Sequence, residues 1–174
     1  MAEQVYLGLG GNIGDTEAVI RAVVKDIAAL TGTSRTILSR LYCTTPVEVV
    51  DAEQPFVNAA CLIETNTALG NLISQLQAIE QKYGKAEKPK QSSRIIDIDI
   101  LFYGKFQGVV DTVVIPHPRW QERLFVLQPL FDLTESIAMQ GELINLAPLL
   151  EEFTNLHNEI VIPITESNYE TCIC

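Results

Sequence analysis

The octapeptide Arg94-Ile95-Ile96-Asp97-Ile98-Asp99-Ile100-Leu101 constrains this chain more than any other stretch. Its β-branched, apolar composition predicts a buried strand, yet two carboxylates sit inside it. Burying an ionised carboxylate without a partner is costly, so Asp97 and Asp99 must meet cations, donors or water. Side chains alternate along a strand, which places Ile96, Ile98, Ile100 and Phe102 on one face and Ile95, Asp97, Asp99 and Leu101 on the other. At about 3.3 Å per residue the two carboxylates stand roughly 6 to 7 Å apart on one side. That span can hold one metal ion or a close pair. The solvated outer face of an antiparallel sheet would tolerate the same acids, and the octapeptide alone leaves both readings open.

A chain of 174 residues, 47% of them hydrophobic, suits one domain with a sizeable core. No stretch reaches the roughly 18 uncharged apolar residues of a membrane span. The apolar run from Val5 to Leu9 is broken by glycine and has neither a basic lead nor a cleavage site, so a cytoplasmic protein is expected. Cys43, Cys61, Cys172 and Cys174 lack the paired spacing of a zinc site and are expected as thiols. The net charge of -10 argues against nucleic acid as a partner. Five of the twelve Lys and Arg residues nevertheless fall within residues 82–94, namely Lys82, Lys85, Lys88, Lys90 and Arg94. Arg119 and Arg123 follow His117. A local positive patch on an acidic protein suits a small polyanion such as a nucleotide, and this one runs directly into the two aspartates.

Periodicity then orders the chain. A strand over residues 4–10 leads into a glycine-rich turn, Gly8 to Asp15, and the spacing of Ile20, Val23, Val24, Ile27 and Leu30 predicts a helix stopped by Gly32. The glycines match no dinucleotide fingerprint, because Ile13 stands where the third glycine belongs. They read instead as unusual backbone angles or close packing. A second strand is expected over 34–42 and a third over 56–65. The stripe Leu69, Leu72, Leu76, Ile79, Tyr83 predicts a helix over about 68–83 with Glu80 at its edge. The aspartate strand, 94–103, is followed by a turn and by Val109 to Ile115 pairing back as a hairpin. A helix over 123–131 is kinked or ended by Pro129. Short elements over 147–153 and 160–164 lie in a peripheral tail. This order predicts a ferredoxin-like α+β fold, an antiparallel sheet with helices on both sides in three layers, with strands one and four together at its centre.

Six spaced motifs, taken together, resemble one family. They are Val5 to Asp15, Tyr42 to Val47, Gln54 to Asn58, Ile79-Glu80 with Gly84, Arg94 to Asp99, and Pro116-His117-Pro118 with Arg123 to Leu130. The chain is similar over about residues 5–150 to the 6-hydroxymethyl-7,8-dihydropterin pyrophosphokinases of folate biosynthesis, with residues 151–174 as an extension of a single domain. The resemblance implies pyrophosphoryl transfer from ATP to the pterin hydroxymethyl oxygen, releasing AMP. It implies that Asp97 and Asp99 hold two Mg²⁺ ions and that Arg94 and Arg123 share the catalytic work. Glu80, Lys85, Arg94, Ile100, His117 and Arg123 are implied on the ATP side. Thr44, Pro46, Val47, Phe56, Asn58 and Phe125 are implied on the pterin side, with the two phenylalanines sandwiching the rings and the Asn58 amide reading their edge. Small-molecule substrates, no nucleic acid, no membrane, and a monomer or weak homodimer are expected. The chain departs from the family pattern at Glu48, Gln91, Ser92, Thr112 and Val114. Another Mg²⁺-dependent nucleotide transferase on the same fold, or a non-catalytic ligand-binding module, are the alternatives.

Overall fold

A computed structural model of the chain describes residues 2–44, 55–84, 94–156 and 161–165. The first strand, β1 (Glu3–Gly11), is followed by helix α1 (Thr16–Ala28), β2 (Thr33–Leu38), β3 (Tyr42–Thr44), β4 (Phe56–Thr65), α2 (Leu69–Lys82) and β5 (Asp97–Tyr103). Asp15 caps α1, its carboxylate accepting from the Ala18 N–H at 3.0 Å. The periodic residues Ile20, Val23 and Ile27 of α1 and Leu72, Leu76 and Ile79 of α2 are all buried. They cover one sheet face together with Val5, Leu7, Leu9, Ile63, Ile96, Ile98 and Ile100.

After β5 come a small hairpin, β6 (Gly108–Val110) and β7 (Val113–Ile115), a one-turn 3-10 helix at Trp120–Glu122, and α3 (Leu124–Phe131). The chain continues through a second hairpin, β8 (Ser136–Met139) and β9 (Glu142–Asn145), then α4 (Leu146–Leu156) and β10 (Val161–Pro163). Leu127 and Leu130 of α3, with Leu146 of α4, pack on the opposite sheet face against Leu101, Phe102 and Trp120. Helices therefore lie on both sides of one sheet, the expected three-layer ferredoxin-like arrangement. Among the described residues no helix is long and apolar enough to cross a membrane.

Strand order in the main sheet is β10-β3-β4-β1-β5, with β2 also pairing β4, all antiparallel. The aspartate strand, fourth in the expected count, does not share the centre with the first; the expected third strand, here β4, takes its place, which corrects the expected centre. Strands β1 and β4 form it, and the aspartate strand β5 lies beside β1 as an edge. The expected single strand over 34–42 is two, because Ser39 interrupts it: its Oγ accepts from the Ala60 N–H at 2.9 Å where a ladder bond would continue. Val109 to Ile115 folds on itself as β6 and β7, not onto β5, turning at Asp111 in the left-handed region (φ 54). Val161–Pro163 joins the main sheet beside β3.

The alternation along β5 also breaks. Leu7 pairs Ile100 but Tyr6 pairs Phe102, so Leu101 is an extra residue on β5. The bulge turns Phe102 away from the isoleucine face on which strict alternation puts it. Phe102 instead meets Tyr6 and Trp120 edge-on, at centroid distances of 6.1 and 5.0 Å.

Candidate active site

Of the glycines expected to form a turn, Gly8, Gly10 and Gly11 lie inside β1, and Gly14 alone turns, in the left-handed region (φ 71). Gly8 pairs Ala60 and Asp99, while Gly10 pairs Asn58 and Asp97. Directly opposed residues share a face. Since Tyr42 pairs Asn58 on the next strand, one row crosses the sheet as Tyr42, Asn58, Gly10, Asp97, and the neighbouring row as Ala60, Gly8, Asp99. With strands about 4.8 Å apart, Asn58 and Asp97 face each other across roughly 10 Å with a glycine between them. The glycines are spacers. A Cβ on Gly10 would stand 2.5 Å from Asn58 Oδ1, and one on Gly11 2.2 Å from the Ile95 carbonyl oxygen.

On the far wall of this trough, Asn58 is buried and donates from Nδ2 to Thr44 Oγ1 at 2.8 Å. That bond directs the amide oxygen over Gly10, toward the carboxylates. Phe56, half-buried, pairs Thr44 one step along. On the near wall, Arg94 Nη1 lies 2.5 Å from Asp97 Oδ2. The Arg94 backbone is gripped from both sides by buried Asn12, whose Oδ1 accepts from the Arg94 N–H and whose N–H donates to the Arg94 carbonyl, both at 2.9 Å. Asn12, absent from the sequence-derived residues, belongs to the site as the anchor of Arg94.

Behind β5, buried Glu80 accepts from the Ile98 N–H at 2.7 Å and so fixes the peptide between the two aspartates. Ile100 turns its side chain into the α1/α2 core, leaving only its main chain to reach a nucleotide. His117 is tied to β5 by its N–H, which donates to the Leu101 carbonyl at 3.0 Å. Its Nδ1 accepts from the Arg119 N–H at 3.2 Å. Burial, then the charges of Arg123 and Arg119, lower the His117 pKa, so a neutral ring presents Nε2–H as a donor. Arg123 opens α3, with Cζ 5.5 Å above the half-buried Phe125 ring. Lys85, Pro46 and Val47 lie outside the described residues.

Burial and the neighbouring Asp97 push the Asp99 carboxyl up to about 6, with Arg123 and Arg94 opposing and Glu80 adding to the rise. Among the described residues no group of three His, Cys, Asp or Glu side chains forms a metal cage. Two carboxylates on one face of a strand still fit Mg²⁺, which binds one or two protein carboxylates and completes its shell with water and phosphate oxygen.

The pattern of a family described as 7,8-dihydro-6-hydroxymethylpterin-pyrophosphokinase (HPPK) matches residues 6–135. The chain belongs to this family. A Bacillus subtilis 2-amino-4-hydroxy-6-hydroxymethyldihydropteridine pyrophosphokinase is 34% identical over 136 residues, 78% of this chain and 81% of that protein. The folic acid synthesis protein fol1 of Pneumocystis carinii is 31% identical over 95% of this chain, which spans only 22% of that larger protein's length. In fold, the chain is similar to wild-type Plasmodium falciparum HPPK-DHPS crystallised with pteroate, at a TM-score of 0.65 and 14% identity, covering 89% of this chain and 43% of that one. The aspartate strand, the glycines of β1 and His117 all fall within the matched segment.

Proposed function

We propose that the chain transfers the pyrophosphoryl group of ATP to the hydroxymethyl oxygen of 6-hydroxymethyl-7,8-dihydropterin, releasing AMP in folate biosynthesis. The observation that carries this reading is the row Asn58, Gly10, Asp97, with Thr44 holding the Asn58 amide: an amide wall for a flat heterocycle facing carboxylates across a floor without side chains.

Phosphoryl transfer asks mainly for in-line positioning and for neutralisation of developing charge. Asn58 and Thr44 orient the pterin edge, and Phe56 and Phe125 flank its rings. The hydroxymethyl oxygen then points toward Asp97 and Asp99. Its bond to the β-phosphorus of ATP forms as the bridge to the α-phosphate breaks; the hydroxyl loses its proton and AMP keeps the bridging oxygen. Arg94 and Arg123 offset charge on the phosphates, Lys85 adds to them, and His117 donates from Nε2. Asp97 and Asp99 would hold two Mg²⁺ ions, which supply electrostatic stabilisation to the phosphate oxygens when bound. Glu80 supports this wall through the Ile98 peptide.

The same reading makes the chain a single cytoplasmic domain, a monomer or weak homodimer, acting on small molecules. The test is AMP release from ATP with and without the hydroxymethyl-dihydropterin and Mg²⁺. Pterin-dependent and Mg²⁺-dependent AMP that disappears in Asp97→Ala supports the reading. Turnover only with another acceptor, or pterin binding without turnover, overturns it in favour of a different transferase or a binding module.

A further inference from the structure

At the margin of the trough, a polar cluster joins Asp132 to Arg40 and Tyr42, which lie 92 and 90 residues before it in sequence. Asp132, at the C-terminus of α3, accepts from the Arg40 backbone N–H at 3.0 Å and from Arg40 Nε and Nη2. It also accepts from the Tyr42 hydroxyl, at 3.1 Å to Oδ1 and 3.0 Å to Oδ2. The Asp132 side chain is 11% exposed. A carboxylate at a helix C-terminus sits at the negative end of the macrodipole. The last turn of α3 carries no basic residue to offset it. Helix stability alone gives no reason for an acid here; its partners on the neighbouring strand do.

Those partners lead to the pocket. Tyr42 begins the three-residue strand β3, which ends at Thr44, the acceptor for Asn58. Tyr42 is buried on the same sheet face as Asn58, its register partner. From Asp132, α3 runs back to Phe125 and Arg123. The cluster therefore joins the far end of the helix bearing Phe125 to the strand bearing Thr44. Phe125 lies seven residues from Asp132, roughly 10 Å along the axis, so a tilt of about 10° at the anchor displaces its ring by about 2 Å. Binding geometries are held to about 0.5 Å, and an error of about 1 Å can cost two orders of magnitude.

We infer that Asp132, with Arg40 and Tyr42, is a positioning clamp that sets the separation between the Phe125 and Thr44–Asn58 walls and so tunes recognition of the flat heterocyclic substrate. The inference rests on the function proposed above. Its variants are Tyr42→Phe, which removes one hydroxyl; Arg40→Lys, which keeps the charge but loses the fork; and Asp132→Asn. Initial rates are measured against pterin at saturating ATP and against ATP at saturating pterin, alongside thermal melts. The expected result is a pterin KM raised about tenfold, an ATP KM within about twofold of wild type, and a smaller change in kcat. Asp132→Glu, which keeps the acceptor, is expected to fall between wild type and Asp132→Asn. A merely structural role would lower the melting temperature without separating the two KM values. Should Asp132→Asn fail to fold, Tyr42→Phe carries the test. Variants with both KM values at wild-type level, or both raised together, overturn the clamp while pterin-dependent AMP release by the wild type leaves the function standing. A wild type without that release overturns the function, and the clamp with it.

Discussion

Gly10→Ala is the sharpest test of the glycine-floored trough. The new methyl would lie 2.5 Å from Asn58 Oδ1. Contact distance for such a pair is nearer 3.4 Å, so the amide must retreat by roughly 0.5–1 Å. Asn58 cannot retreat freely, because its Nδ2 is held to Thr44 Oγ1 at 2.8 Å in a buried setting. Losing that bond costs about 1 kcal/mol, and about 1–3 kcal/mol if a donor or acceptor is left unmet. At about 1.4 kcal/mol per factor of ten, the pterin KM should rise about 10- to 100-fold. The melting temperature should fall by about 2–12 °C for a domain of this size. The ATP KM should hold, since the displaced amide lies across the trough from the phosphate-binding side. Steady-state kinetics with each substrate varied, plus calorimetry, provide the measurement. A Gly10→Ala protein with wild-type pterin KM would refute the argument that the floor must be bare. Gly8→Ala is the control: the atoms nearest its methyl are Cδ2, Cδ1 and Cγ of Leu101, at 3.4, 3.7 and 3.7 Å, and a leucine end can yield.

Asp97→Asn and Asp99→Asn should each lower kcat by about 10³-fold or more, and chelation should stop wild-type turnover until Mg²⁺ is restored; activity persisting under chelation would contradict the assignment. Glu80→Leu removes the acceptor of a buried N–H and should destabilise the fold by about 1–3 kcal/mol, read by urea denaturation. The Asp132 carboxyl sits below its ordinary pKa of 3.8: burial works to raise it, but Arg40 and Tyr42 outweigh burial. The unfolded chain therefore binds the proton more readily, so this contribution to stability is present above about pH 4 and fades as pH falls through the folded-state pKa. Asp132→Asn should flatten the acid limb of a stability-against-pH curve there, and a limb of unchanged slope would count against the ion pair.

Helices α1 and α2 and strand β4 were legible because their apolar spacing is regular over ten or more residues. The aspartate strand was legible by its conflict of composition, and Asp97, Asp99, Arg94 and Asn58 do converge around one face. What escaped had non-local causes. Glycine is rare in strands, so Gly8 and Gly10 read as a turn, and only their cross-strand neighbours explain them. The Leu101 bulge has no compositional mark. The β8–β9 hairpin turns at Gln140 and Gly141, both in the left-handed region, and glutamine gives little warning of that. The pairing of Arg40 and Tyr42 with Asp132 spans about ninety residues and leaves no local trace. Strand order went wrong at the centre because alternation tells which face a residue takes, not which neighbour a strand takes.

The extra residue at Leu101 works as a phase shifter. Upstream of it, β5 must keep every second side chain free for chemistry; downstream, the same face of the same strand is filled by Phe102 against Trp120 and Tyr6. A strict two-residue repeat would tie both halves to one pattern. With the phase reset between them, drift in the aromatic half need not disturb the acidic half, whereas deleting that single residue would set the aromatic packing against the aspartates' orientation.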